Sequence, residues 1–253
     1  MYTWIVEALG IDPVRDELAT SVAESMGPYT PLSLVLEEFR PVSIVVCPGP
    51  TLRETLTTLG PELRALRSRV TIVAVDGASR PLLEKGIVPH VVVTDLDGGD
   101  EPLLQCCAEG SIMVVHIHGD NIEAFLRLVP SFRRLGCRVV VTRQTLSRGL
   151  THYTSFIGGF TDGDRAVHLS LLAGSTPVLV SMDLGYVVGA SSKGWSHDSK
   201  ALWRKLVKME IARELISRLS RTHAIYSLTP TPIPGVVQLS LEDLRRLVEC
   251  SGA

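Results

Sequence analysis

From residue 42 onward, short apolar runs alternate with stretches of helical periodicity. SIVVC (43–47), VTIVAV (70–75), HVVVT (90–94), SIMVVHI (111–117), CRVVVT (137–142) and PVLVSM (177–182) are apolar or β-branched almost throughout. They are too short for helices and do not alternate with polar residues, so they read as strands buried on both faces. Between them lie helical patterns. TLRETLTTL begins one that should break at Gly60-Pro61 and resume through Arg67; SRPLLEKG (79–86) is a short one closed by a glycine. GDRAVHLSLLAG (163–174) and KALWRKLVKMEIARELISRL (200–219) are the clearest. The alternation predicts an α/β fold, a mostly parallel sheet with helices on both faces. Residues 1–40 differ. Asp12-Pro13 starts a helix, Gly27-Pro28 stops it, and LSLVLEEF (32–39) is a second amphipathic piece. The expected organisation is a helical extension, 1–40, packed on an α/β domain, 41–253.

Composition narrows the function classes. Of 253 residues, 45% are hydrophobic and the net charge is −2, so a large core is expected and nucleic acid or an anionic membrane is not a favoured partner. No apolar stretch reaches membrane-spanning length, and MYTWIVEALGIDPVRDE lacks the basic and apolar regions of a signal peptide. Five cysteines (Cys47, Cys106, Cys107, Cys137, Cys250) show no metal-type spacing and read as reduced, buried residues of a cytoplasmic protein. A homo-oligomer is compatible with everything in the sequence.

The polar residues gather where such a sheet binds ligands, at the carboxyl ends of its strands. Asp76, Asp95, Asp97, Asp120 and Asp183 each follow a strand run. One such aspartate is an ordinary cap or turn residue; five at one edge exceed what capping needs. VVVTDLDGG (91–99) is the sharpest case. If its backbone stays extended, Asp95 and Asp97 point the same way and repel by about 2 kcal/mol at roughly 7 Å. A divalent cation would offset that cost, and Mg²⁺ takes carboxylate and phosphate oxygens.

Other motifs carry weaker signals. Pro48-Gly49-Pro50-Thr51 follows a strand and opens a helix, where Gly49 permits close backbone approach and free N–H groups attract phosphate. The prolines remove donors, and no Walker-type GxxxxGK[ST] occurs. HIHGDN (116–121) places Asp120 and Asn121 near a metal–nucleotide site, forms a capping turn, or, as H-x-H-x-D, belongs to a zinc hydrolase. In GGFTDGDRA (158–166), Gly158 and Gly159 let backbone reach a ligand and Arg165 pairs with phosphate, unless Asp162 and Asp164 simply cap a helix. Arg143, Gln144 and Arg148 meet phosphates or form a surface loop. The basic run Lys200, Arg204, Lys205 and Lys208 fits a solvated face, Trp195 and Trp203 fit burial better than stacking, and His197 fits the surface.

VDGASRPLLEKGIVPHVVVTDLDGG (75–99) resembles thiamin pyrophosphokinases in its Asp-Gly-Ala and Asp-x-Asp elements. Together with CPGPTL (47–52), HIHGDN, GGFTDGDRA and SMDLG (181–185), it resembles the archaeal 6-hydroxymethyl-7,8-dihydropterin diphosphokinases more fully, over roughly residues 40–220. That resemblance implies ATP- and Mg²⁺-dependent transfer of pyrophosphate to the hydroxymethyl group of the pterin, with AMP as the other product, in folate- or tetrahydromethanopterin-type cofactor synthesis. Asp95 and Asp97 would hold Mg²⁺ with Asp76 and Asp120 beside them. Gly49, Pro50, Thr51, Gly77, Asn121, Gln144, Gly159 and Asp162 would lie against nucleotide, Arg165 would offset phosphate charge, and Asp183 would pair with the pterin's aminopyrimidine edge. Three alternatives stay open: a thiamin pyrophosphokinase, a non-catalytic nucleotide- or nucleotide-sugar-binding module, and a zinc hydrolase.

Overall fold

The apolar runs form strands and the periodic stretches form helices, as described by a computed structural model over residues 2–144, 152–185 and 199–251. Arg148, Trp195 and His197, and the Lys200 side chain, lie outside the described residues. Three helices lead: α1 (Tyr2–Leu9), α2 (Pro13–Met26) and α3 (Leu32–Leu36). Then come β1 (Val42–Val46), α4 (Leu52–Leu66), β2 (Thr71–Val75), α5 (Ser79–Glu84), β3 (Val91–Thr94), α6 (Asp100–Ala108), β4 (Ile112–Ile117), α7 (Ile122–Arg134), β5 (Val139–Arg143) and β6 (Thr154–Phe156). The chain continues through α8 (Asp162–Leu172), β7 (Thr176–Val180), α9 (Ser199–Leu219), β8 (Tyr226–Ser227), β9 (Val237–Gln238) and α10 (Leu241–Ser251).

The nine strands form one sheet, β6-β5-β4-β3-β2-β1-β7-β8-β9, and every pairing is parallel. Residues β1 through β4 are buried throughout, because helices cover both faces. Ile44, Ile72, Val92, Met113 and Val141 point toward one core, shared with Leu56 and Leu63 of α4, Leu103 of α6, Phe125 and Phe132 of α7 and Leu244 of α10. Val45, Val73, Val93, Val114 and Val140 point to the other, shared with Val35 of α3, Val167 and Leu169 of α8 and Ile216 of α9. The N-terminal helices contribute to both layers: Ala19 and Ala23 of α2 lie in the first core and Val35 in the second. Ile5 and Leu9 of α1 pack on Ile211 of α9.

Two details fix the binding edge. The chain adds strands to one side of β1 from β2 to β6, then crosses by α8 to place β7 on the other side. The β1/β7 junction is therefore the topological switch point, where such sheets open a crevice at the strands' carboxyl ends. Among the described residues, the non-glycine residues with positive φ are Asp76 (37°), Leu96 (71°) and Ser181 (54°). They follow β2, β3 and β7 on that same edge, and backbone held this way marks a site where geometry outranks local stability.

Some expectations do not hold. α4 runs unbroken through Gly60-Pro61. The carbonyl that Pro61 leaves without its helical donor belongs to Thr57, an exposed residue, so water can satisfy it. The stripe Leu52, Leu56, Leu59, Leu63 and Leu66 continues across the break and holds the helix to the sheet. Of the cysteines, Cys47, Cys106 and Cys107 are buried, but Cys137 is half-buried and Cys250 exposed. Among the described residues, no helix is long and apolar enough to cross a membrane.

Candidate active site

A cleft of about 820 Å³ opens over the carboxyl ends of β1–β5 and β7. Asp76, Asp95, Asp97, Asp162 and Asp183 line it from the strand ends and Arg204, Lys205 and Lys208 from α9, while α2 contributes Arg15 and Asp16. Acidic and basic side chains thus share one cleft.

The acidic residues have a centre. One carboxylate oxygen each from Asp76, Asp95 and Asp162 lie within 4.8 Å of one another. Asp76 is held by the Thr94 hydroxyl, which donates to its Oδ1. Asp162 Oδ2 accepts from the Asp95 N–H at 3.2 Å. Asn121 fixes the strand ends behind them: its Nδ2 donates to the carbonyls of Asp95 (2.8 Å) and His116 (2.7 Å), while its Oδ1 accepts from the His118 N–H at 2.9 Å. Burial pushes the Asp76 carboxyl well above the usual aspartate range, and the charges of Asp162, Asp95 and Asp97 push it further. Burial does the same to Asp162, with Asp95 adding to it and Arg165 opposing. Three hard oxygen donors that resist being charged together match a divalent cation such as Mg²⁺.

Asp162 belongs to this trio, while Asp97 is not one of the three. Leu96 explains the exchange. It is buried in a left-handed conformation, its N–H taken by Thr94 Oγ1 at 2.8 Å, so the backbone is not extended and the i, i+2 rule fails. Asp97 stands beside Asp76 instead, where its charge helps to raise the Asp76 pKa. Gly98 lets this loop close: a Cβ there would stand 2.7 Å from Asp76 Oδ2.

Arg165 does not reach the cleft. It is 1% exposed, with Nη2 donating to Gln144 Oε1 (3.0 Å) and the Phe160 carbonyl (3.2 Å). Burial works against its charge, and Asp162, Asp164 and Asp95 sustain it. In this position it is a buried counter-charge to Asp162, Asp164 and Asp95. Gln144 lines the cleft, but its Oε1 also meets His116 Nε2 at 3.0 Å. Because that oxygen already accepts from Arg165, the His116 proton is assigned to Nε2. His116 Nδ1 lies 3.1 Å from Thr142 Oγ1, so both ring nitrogens are occupied. Burial, then the Arg165 and His118 charges, push the His116 pKa well down. Among the described residues, the convergent metal-type donors are the three carboxylates, and His116 and His118 are not among them; the zinc arrangement is not formed.

The remaining sequence candidates scatter in role. Asp120 lines the cleft but is not one of the trio; its side chain is 71% exposed and pairs with Arg15 at 3.4 Å. Asn121 and Gly77 are buried and do not line the cleft. Asp164 caps α8 by accepting from the N–H groups of Phe160 and Thr161. Gly159 serves this cap also: at φ +100°, a Cβ there would stand 2.8 Å from the Arg165 Cα. Gly49 and Pro50 line the cleft at the switch point, and a Cβ on Gly49 would strike the Ser181 carbonyl oxygen at 2.1 Å. Thr51 is not open to phosphate, since its N–H (3.0 Å) and hydroxyl (2.6 Å) both donate to Asp183 Oδ2. Sequence reasoning missed the facing of α9, whose Arg204, Lys205 and Lys208 line the cleft, and the presence there of Asp16 from α2.

Comparison with known proteins follows the same line. A family model described as 6-hydroxymethylpterin diphosphokinase MptE-like matches residues 24–189. The 6-hydroxymethyl-7,8-dihydropterin pyrophosphokinase of Methanothermobacter thermautotrophicus is 36% identical over 226 residues, 87% of this chain and 92% of that protein. The protein of that name from Pyrococcus furiosus is 36% identical over 224 residues, covering 86% and 90%. Among solved structures, the Maf glycosyltransferase of Magnetospirillum magneticum AMB-1 aligns over 94% of this chain and 41% of its own with a TM-score of 0.56; at 17% identity this is a likeness of fold. With more than half of its length matched to that model and most of it shared with such relatives, the chain belongs to the MptE-like family of 6-hydroxymethylpterin diphosphokinases and is a diphosphokinase.

Proposed function

We propose that this protein transfers the pyrophosphoryl group of ATP to the hydroxymethyl oxygen of 6-hydroxymethyl-7,8-dihydropterin, giving the pterin diphosphate and AMP, in the cytoplasm. The observation that carries the reading is the trio Asp76, Asp95 and Asp162, its ligand oxygens within 4.8 Å, in one cleft with Arg204, Lys205 and Lys208 of α9. Names of relatives supply the pterin; the charged cleft supports the triphosphate.

Asp76, Asp95 and Asp162 would hold Mg²⁺, with Asp97 beside Asp76. A divalent ion held there would supply positive charge against the charge that develops on the phosphoryl oxygens during transfer. Arg204, Lys205 and Lys208 take the outward-facing phosphate oxygens, which a cation-lined wall attracts. Arg165 and Asn121 keep the carboxylates in place from below. Gly49 and Pro50 leave the switch-point crevice open to the nucleotide. In a loose transition state, alignment of the alcohol with the β-phosphorus matters more than a strong base.

The test is direct: purified protein, ATP and Mg²⁺ with the pterin alcohol or thiamin, scored for AMP. AMP with the pterin, absent with thiamin and abolished by EDTA, is the expected result. AMP with thiamin alone, or ATP binding without AMP for any alcohol, would overturn it.

A further inference from the structure

We propose that Asp16, carried by the N-terminal helix α2, reads the aminopyrimidine edge of the pterin; the assignment rests on the pterin reading above. Asp16 is 4% exposed. Its Oδ1 accepts from the Gly119 N–H at 2.8 Å, but its Oδ2 is buried with no hydrogen-bond partner among the described residues, and the side chain lines the cleft. A buried carboxylate oxygen lacking a donor is costly, and such exceptions call for an explanation. A ligand that brings N–H donors supplies one.

The position is built. Arg15 Nη2 donates to the Gly119 carbonyl at 2.9 Å while Asp16 takes the Gly119 N–H, so two successive residues of α2 clasp one residue after β4. A Cβ on Gly119 would stand 2.6 Å from Arg15 Cβ, so glycine is what allows the approach. The location also suits the substrate. A pterin carries its donors, the exocyclic amine and the adjoining ring N–H, at the end of the bicycle opposite the hydroxymethyl carbon. A carboxylate that reads them must share the cleft with the trio but stand apart from it. His118 links the two places: its Nε2 is 3.7 Å from Asp95 Oδ2, and the next residue, Gly119, is the one whose N–H Asp16 accepts. Asp183 is less suited, because its Oδ2 is already occupied by Thr51 and caps α4.

The test compares the pterin with its analogue lacking the exocyclic amine, on wild type and on Asp16→Asn. Asparagine keeps the acceptor for Gly119 and turns a donor toward the ligand's donors. Asp16→Asn should raise the pterin KM roughly 10- to 100-fold, with kcat far less changed and the ATP KM preserved. Wild type should show a similar KM increase for the analogue, and Asp16→Asn should no longer separate the two compounds. An unchanged pterin KM in Asp16→Asn, or wild type that treats analogue and pterin alike, overturns the assignment. The analogue comparison uses the unaltered chain, so it decides even if the variant does not fold. Wild type that forms no AMP from the pterin refutes the function reading itself, and this assignment with it, before any variant is made.

Discussion

Replacing Asp76 by asparagine should stabilise the metal-free protein while destroying its activity. Asp76 is buried, and the surrounding charges that act on it, Asp162, Asp95 and Asp97, are all negative. At 4.8 Å and an effective dielectric near 20, each fully ionised pair repels by about 3.5 kcal/mol. Asp95 and Asp162 line the cleft, where solvent weakens this, and Asp76 can escape part of it by taking a proton. Holding an ordinary aspartate neutral at pH 7.5 costs about 5 kcal/mol, which limits the relief from above. Asparagine keeps the acceptor for Thr94 Oγ1 and offers Asp97 a donor. A net gain of about 3 kcal/mol follows, or a Tm about 6–12 °C higher for a chain of this size. The folded-state pKa of Asp76 lies above the unfolded one, so the folded chain binds the extra proton. Metal-free stability of wild type therefore falls as pH rises from the ordinary value of 3.8 toward the raised one, and the advantage of the variant grows over that interval. The assay is calorimetric melting at pH 7.5 in EDTA and then in Mg²⁺, beside AMP formation. Mg²⁺ should raise the wild-type Tm more than that of the variant, since binding to the folded state alone stabilises it. A lower Tm for Asp76→Asn in EDTA, or equal Mg²⁺ stabilisation of both proteins, would refute the electrostatic account of the trio.

Glu24 supports a different prediction. Its carboxylate accepts from the N–H groups of His152, Tyr153 and Thr154 and from the Thr154 hydroxyl, tying α2 to the start of β6. Burial pushes its pKa up, but these bonds outweigh that and leave it lowered. Glu24→Gln should cost about 2 kcal/mol at neutral pH, visible in urea unfolding. The difference should hold above the ordinary glutamate value of 4.5 and close as pH falls through the lowered one; a gap that persists in acid would count against the assignment. In the same cleft, Lys208→Ala should raise the ATP KM about fivefold at low ionic strength and less in high salt, the signature of an exposed charge acting on phosphate. Equal KM values for wild type and variant at low salt would place the triphosphate elsewhere.

The six apolar runs became β1 to β5 and β7, each within two residues of its expected bounds, because a strand buried on both faces leaves an unbroken apolar signature. β6, β8 and β9 left none: they are two or three residues long at the sheet's margins, and their pairing depends on neighbours. The acidic edge was legible because polar residues following buried strands stand out. Its membership was not. Asp162 meets Asp95 across 67 residues of chain through the α8 crossover, a contact no local pattern encodes. Leu96 reverses the pointing of Asp97 by a single φ angle, and neither a leucine nor its neighbours announce that. The basic face of α9 was visible as a periodicity, but periodicity does not say whether a face meets water or a cleft. Asp16 gave no sign of its setting, since α2 reads as an ordinary amphipathic helix until Gly119 is seen to receive it.

α8 carries Asp162 at its first position and Arg165 one turn later, so the third acid and its neutraliser sit on the same rigid rod. A displacement of that helix against the sheet would withdraw both groups from Asp76 and Asp95 together, so an altered α8 packing should cost cation affinity and charge compensation at once.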